Sequence, residues 1–159
     1  MRQTTLACLA AVFFTLTGCQ PQPEQFTVED EATLRGMIEA TARSFKAADM
    51  ATWAQYYAQD AVFHPPNAPA VAGQANILAW GRAFPPLEDL TFPNVKVSGE
   101  GNVGYGTSSY VMTLKDLPPD SGKQLVVFRR PPGGAWAIVA VSFNSDVPVP
   151  APGTERPTE

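Results

Sequence analysis

The 159-residue chain has few of the residues from which most active sites are built: two cysteines, one histidine and 16% charged side chains. Both cysteines, Cys8 and Cys19, lie before position 20. Everything beyond them therefore lacks a disulfide, a thiolate metal site and a cysteine nucleophile. With His64 as the one imidazole and the carboxylates scattered, no cluster stands at metal-ligand spacing, and neither a metal nor a cofactor is expected. No Gly-x-Ser-x-Gly elbow is present, which removes the usual seryl hydrolase arrangement. Positive charge is also in deficit, with 11 Lys and Arg against 15 Asp and Glu for a net charge of −4. Such a balance argues against a nucleic-acid partner, which selects a basic face. Long apolar runs are missing as well. The longest, Leu6–Leu16, is well short of the roughly 20 residues of a membrane-spanning helix.

That short run follows Met1-Arg2, the layout of a secretory signal peptide over residues 1–18. Leu16-Thr17-Gly18-Cys19 then resembles the bacterial lipobox. The resemblance implies cleavage before Cys19, lipidation of its thiol and acylation of the new amino terminus, enough chains for stable anchoring. The expected location is the cell envelope, facing the periplasm. Gln20 stands where Asp would signal inner-membrane retention, so the outer membrane is the expected destination in a Gram-negative cell. Residues 19–26 read as the lipidated cysteine and a Pro/Gln-rich tether, and 147–159 as a disordered Pro-rich tail.

Between them, residues 27–146 carry the folded unit. Pro-Pro doublets at 65–66, 85–86, 118–119 and 131–132 should each mark an element boundary, because proline lacks an amide donor and drives its predecessor out of helical geometry. Thr27 with Asp30 forms a capping-box-like start, followed by Leu34, Ile38, Thr41 and Phe45 at helical spacing. Asp49 caps a second helix presenting Trp53, Tyr56 and Tyr57, and Gly73–Phe84 makes a third. Asp60–His64 is a short strand. Leu90–Ser98, Val103–Lys115, Lys123–Arg130 and Ala135–Asn144 alternate and are rich in β-formers. Helices first and hairpin-linked strands after predict an α+β fold, three N-terminal helices packed on an antiparallel sheet. Gly99–Gly104 fits the dinucleotide pattern G-x-G-x-x-G, yet β-formers rather than a helix follow it, so it reads as a hairpin turn.

Tyr57–Pro66, then Gly73-Gln74 and Ile77, resemble the NTF2-like superfamily, in particular its SnoaL-like and DUF4440 branches. Phe128-Arg129-Arg130, Gly134–Val139 and Phe143–Asp146 agree with it. The resemblance implies a cone of helices against a curved sheet enclosing a pocket, and a homodimer. It also implies where chemistry would sit. The ketosteroid isomerase branch places its general base at the position matched by Pro65 and its oxyanion tyrosine at Thr41, so both roles are vacant.

Two acid–base candidates are left, His64 and Asp146. Asp60 shares a strand face with His64 but stands roughly 13 Å away along an extended strand, too far for a dyad. Arg129 and Arg130 read as a solvated pair. Trp53, Tyr57, Trp80 and Tyr110 are the aromatic candidates for a ligand pocket, with His64 at its rim. Strict alternation puts Trp136, Ile138, Ala140, Ser142 and Asn144 on one face of the last strand, taken as the concave face, which adds Ser142 and Asn144 to the pocket. The resulting expectation is a membrane-anchored module binding a small apolar molecule. The alternatives are a cyclase, isomerase or dehydratase using His64 or Asp146, and a dimerisation domain with a filled cone.

Overall fold

The computed structural model describes residues 25–148. The expected signal peptide, Cys19, most of the tether and the tail beyond Pro148 lie outside the described residues.

Helix α1 (Val28–Lys46) starts on a complete capping box. The Asp30 amide donates to Thr27 Oγ1 at 3.1 Å, and the Thr27 amide donates to the Asp30 carboxylate at 2.9 Å. Two otherwise orphaned donors are satisfied reciprocally. Asp49 caps α2 (Met50–Gln55) by accepting the Thr52 amide at 3.1 Å. This helix has only six residues, so Tyr57, expected on it, is instead the first residue of β1 (Tyr57–His64). A two-residue strand β2 (Val71–Ala72), not expected from the sequence, leads into α3 (Gln74–Ala83). All four Pro-Pro doublets fall between elements, and the one at 85–86 ends α3.

The remaining strands are β3 (Leu87–Thr91), β4 (Lys96–Glu100), β5 (Val103–Leu114), β6 (Asp120–Arg129) and β7 (Ala137–Ser145). Sheet order is β2-β1-β7-β6-β5-β3, with β4 also on β5. The sheet is mixed rather than purely antiparallel, because β1 runs parallel to β7. The single strand expected over 90–98 is broken at 92–95, where Pro93 lacks a donor and Asn94 takes a φ of 59°. Its two halves, β3 and β4, pair successively along one edge of β5. Register shifts in β1 against β7 and in β6 against β7 bend the sheet over the helices. Helix α1 lies on β3, β4 and β5, while α2 packs on α3 and α3 on β1.

Glycines let α1 approach the sheet closely. Gly99 and Gly104 face each other across the β4–β5 hairpin, whose turn holds Gly101 at a φ of 58°. The G-x-G-x-x-G string is thus a hairpin with a flat floor. The Phe26 ring covers Gly99, and a Cβ on Gly104 would stand 2.4 Å from Leu34 Cδ1. Gly104→Val should push Leu34 off its site and destabilise by about 1–3 kcal/mol, read as a lower denaturant midpoint with α1 helicity retained.

A polar clamp ties the start of α1 to the end of the sheet. Asp30 is 6% exposed and receives the Arg130 guanidinium at 2.6 Å and the Trp136 indole N–H at 2.8 Å. Arg130 stacks over the Trp136 ring at 4.7 Å, and Phe26, expected in the tether, meets the same ring edge-on at 5.9 Å. Of the two arginines expected to be solvated, Arg130 is drawn into this clamp, while Arg129 stays half-exposed in a surface ion pair. Arg129 donates to both carboxylate oxygens of Asp60, at 3.0 and 2.8 Å.

Candidate functional site

Helices and sheet close around a cavity whose deep wall is made by buried Trp53, Tyr57, Phe63 and Ile138. Half-buried Phe84, Leu90, Phe92, Met112 and Phe143 line its outer part. The cavity has a volume of about 80 Å³. That is several times the 10–15 Å³ that one water needs. The walls are close-set rings. Phe45, Trp53 and Phe63 meet edge-on, with centroids 4.9 Å apart for Phe45–Trp53 and 6.0 Å for Trp53–Phe63, and Trp80 lies 4.7 Å from Phe63. Walls of this kind favour apolar occupants.

Few polar groups reach the wall. Thr41 spends its hydroxyl proton on the Ile38 carbonyl at 2.7 Å. Gln124 donates its amide to Ser108 Oγ at 2.9 Å. The Tyr110 hydroxyl donates to the Asp120 carboxylate at 2.8 Å, which Ser145 also holds. Burial, and next that bond to an anion, push the Tyr110 phenol above its ordinary value. Tyr57 is raised by burial alone. Its position is fixed through the backbone: Gln74 Nε2 donates to the Tyr57 and Ala54 carbonyls at 2.8 and 3.0 Å. This explains the Gly73-Gln74 step. Gly73 turns the chain at a φ of 87° while its amide donates to the Ala61 carbonyl at 2.7 Å, and Gln74 then pins the α2–β1 junction.

The structure brings four of the sequence candidates together, since Trp53, Tyr57, Trp80 and Tyr110 all line the cavity. It separates the others from it. His64 is exposed and lies outside the lining, because Ala61 and Phe63 take the inward face of β1. Asp60, turned outward to Arg129 and held by it below the usual carboxylate range, does not reach His64. Asp146, past the end of β7, is exposed and ion-paired with Lys123. Ser142 and Asn144 are on the opposite face of the sheet, in a shallow polar groove with Lys96, Thr107 and Lys123. A β-bulge causes that reversal. Phe128 faces Ile138 but Val127 faces Ala140, so Val139 is an extra residue and alternation flips after it. Ile138, Val141 and Phe143 therefore point inward.

Phe63, Phe92 and Phe143 were not singled out from the sequence. Phe63 was legible, since Ala61 and Phe63 form the apolar set of β1 once Asp60 and His64 are assigned outward. Phe143 was hidden by the bulge, which no composition signal marks. Among the described residues, no three His, Asp or Glu side chains gather in a metal-ligand arrangement.

Comparison with known proteins agrees with this architecture. A ketosteroid isomerase-like protein from Erwinia carotovora atroseptica superposes with a TM-score of 0.64 at 18% identity, over 77% of this chain and 100% of that one. An NTF2-like protein with a cystatin-like fold from Novosphingobium aromaticivorans gives 0.67 at 16% identity, over 76% and 84%. A nuclear transport factor 2 (NTF2-like) superfamily protein from Salmonella enterica serovar Typhimurium gives 0.65 at 15%, over 79% and 96%. At such identities the likeness speaks for the fold. No curated protein matches by sequence. The SnoaL-like domain family matches residues 34–143, from the first buried leucine of α1 to the last cavity-lining residue of β7. The chain therefore belongs to the SnoaL-like family and has the NTF2-like fold.

Proposed function

We propose that this protein is a membrane-anchored module of the bacterial cell envelope that binds a small apolar molecule inside the cone. One observation carries the reading: the cavity is walled mostly by aromatic and aliphatic side chains, and among the described residues no Asp, Glu, Lys, Arg or His lines it. Apolar contact is then the main source of affinity, and the side chains that do acid–base work are outside the site. An enzyme built on His64 or Asp146 finds less support, since one is exposed away from the cavity and the other is held by Lys123.

Thermal unfolding of the purified full chain tests the reading. Indene at 100 times its dissociation constant should stabilise the protein by about 2.7 kcal/mol. No shift with indene, naphthalene or toluene at their solubility limits would instead favour a filled cone. Anchoring has a separate test. Cys19→Ala should release the protein from membranes and remove its acyl mass, and a variant that still sediments with membranes would overturn the lipid anchor.

A further inference from the structure

The deep wall of the cavity holds a hydroxyl group with no hydrogen-bond partner among the described residues. Tyr57 is 5% exposed, and Trp53 and Phe63 fix its ring edge-on at 4.9 and 6.3 Å. Its backbone is pinned by Gln74, yet no described residue exchanges a hydrogen bond with its phenolic oxygen. A buried tyrosine hydroxyl ordinarily finds a partner, and leaving it unmade is costly. The rings that meet Tyr57, Trp53 and Phe63, offer it only carbon. A molecule lodged in the cavity can supply the missing partner.

We infer that Tyr57 is the polar anchor of this cavity, and that its ligand is an aromatic ring without negative charge, bearing one hydrogen-bonding group. This rests on the binding reading and sharpens it to a ligand class. The ring follows from the walls, where Trp53, Phe63 and Trp80 present faces and edges at stacking distances. Absence of negative charge follows from the lining, where among the described residues no cationic side chain compensates an anion taken out of water. The single polar group follows from the wall as well. Thr41, Gln124 and Tyr110 already make internal hydrogen bonds, whereas Tyr57 makes none through its hydroxyl.

The test is calorimetric titration of the full chain with indole and with indene, which has the same shape but lacks the N–H. Wild type should bind indole about three- to tenfold more tightly than indene. Tyr57→Phe should bring indole affinity down to that of indene, which a merely structural role for the hydroxyl would not produce. 2-Naphthoate, an anionic ring of similar size, should fail to bind. Equal affinity for indole and indene in wild type overturns the anchor and leaves the binding reading intact. So does an equal loss for both ligands in Tyr57→Phe. Binding of 2-naphthoate as tight as that of indole overturns the exclusion of negative charge. If neither indole nor indene binds, the binding reading falls and the anchor falls with it. Should the variant fail to fold, the wild-type preference alone decides the question.

Discussion

Asp30→Ala lowers the free energy of unfolding by about 3–5 kcal/mol, the cost of removing one member of a buried ion pair. Its carboxylate closes the capping box of α1, receives Arg130 at 2.6 Å and accepts the Trp136 indole at 2.8 Å. Without it, the Arg130 guanidinium, 19% exposed, loses its carboxylate. Urea unfolding followed by circular dichroism measures the loss. The control is Asp30→Ala combined with Arg130→Met, which should recover much of it, because a buried ion pair replaced by apolar groups is close to neutral. A double variant as unstable as the single one would place the cost in the cap instead. The same group sets an acid limit. The Trp136 hydrogen bond first, then the Thr27 amide and hydroxyl and the Arg130 charge, hold the Asp30 carboxyl below the usual range against the opposing effect of burial. A carboxylate with a depressed folded pKa contributes stability that is present above its unfolded value, about 4. That stability is lost as pH falls through the folded value. Wild type should therefore lose more stability than Asp30→Asn between pH 6 and pH 3.

What could be read in advance divides along a physical line. Features set by local chemistry were legible: the Thr27–Asp30 box, the Asp49 cap, the Pro-Pro boundaries and the hairpin at Gly101 each need only a few consecutive residues. Features set by pairing between distant strands were not. The parallel contact of β1 with β7 is a choice of partner that neither strand's composition records. The extra residue at Val139 is visible only against Phe128 and Val127 on the neighbouring strand, and it moved Ser142 and Asn144 from the pocket to the outer face. The clamp at Asp30 joins positions 100 and 106 residues apart, so Arg130 and Trp136 looked unrelated to the helix they hold. For the site, the aromatic candidates succeeded because bulk and burial go together, whereas His64 and Asp146 were chosen for chemistry without regard to which face they occupy.

Phe128→Ala should cost about 3–5 kcal/mol, the usual range for a truncated buried aromatic. Phe128 is fully buried on β6, opposite Ile138, and packs above Gly106. The space it would vacate resists collapse from two sides. Gly106 has no side chain to advance, and a Cβ there would already stand 2.5 Å from Ile38 Cδ1, which shows how closely α1 sits. Helix α1 is held in turn at its start by the Asp30 clamp, and the half-exposed Lys46–Asp89 pair at 2.6 Å adds a weaker tie near its end. The hole should therefore persist as an apolar void beside the existing cavity, where Ile138 lines the wall. A persistent apolar void binds small hydrocarbons, whereas a collapsed one does not. Benzene should raise the unfolding midpoint of Phe128→Ala by more than that of wild type. A stability loss under about 1 kcal/mol, with no extra response to benzene, would mean that α1 can settle onto the sheet and that the clamp is looser than its contacts indicate.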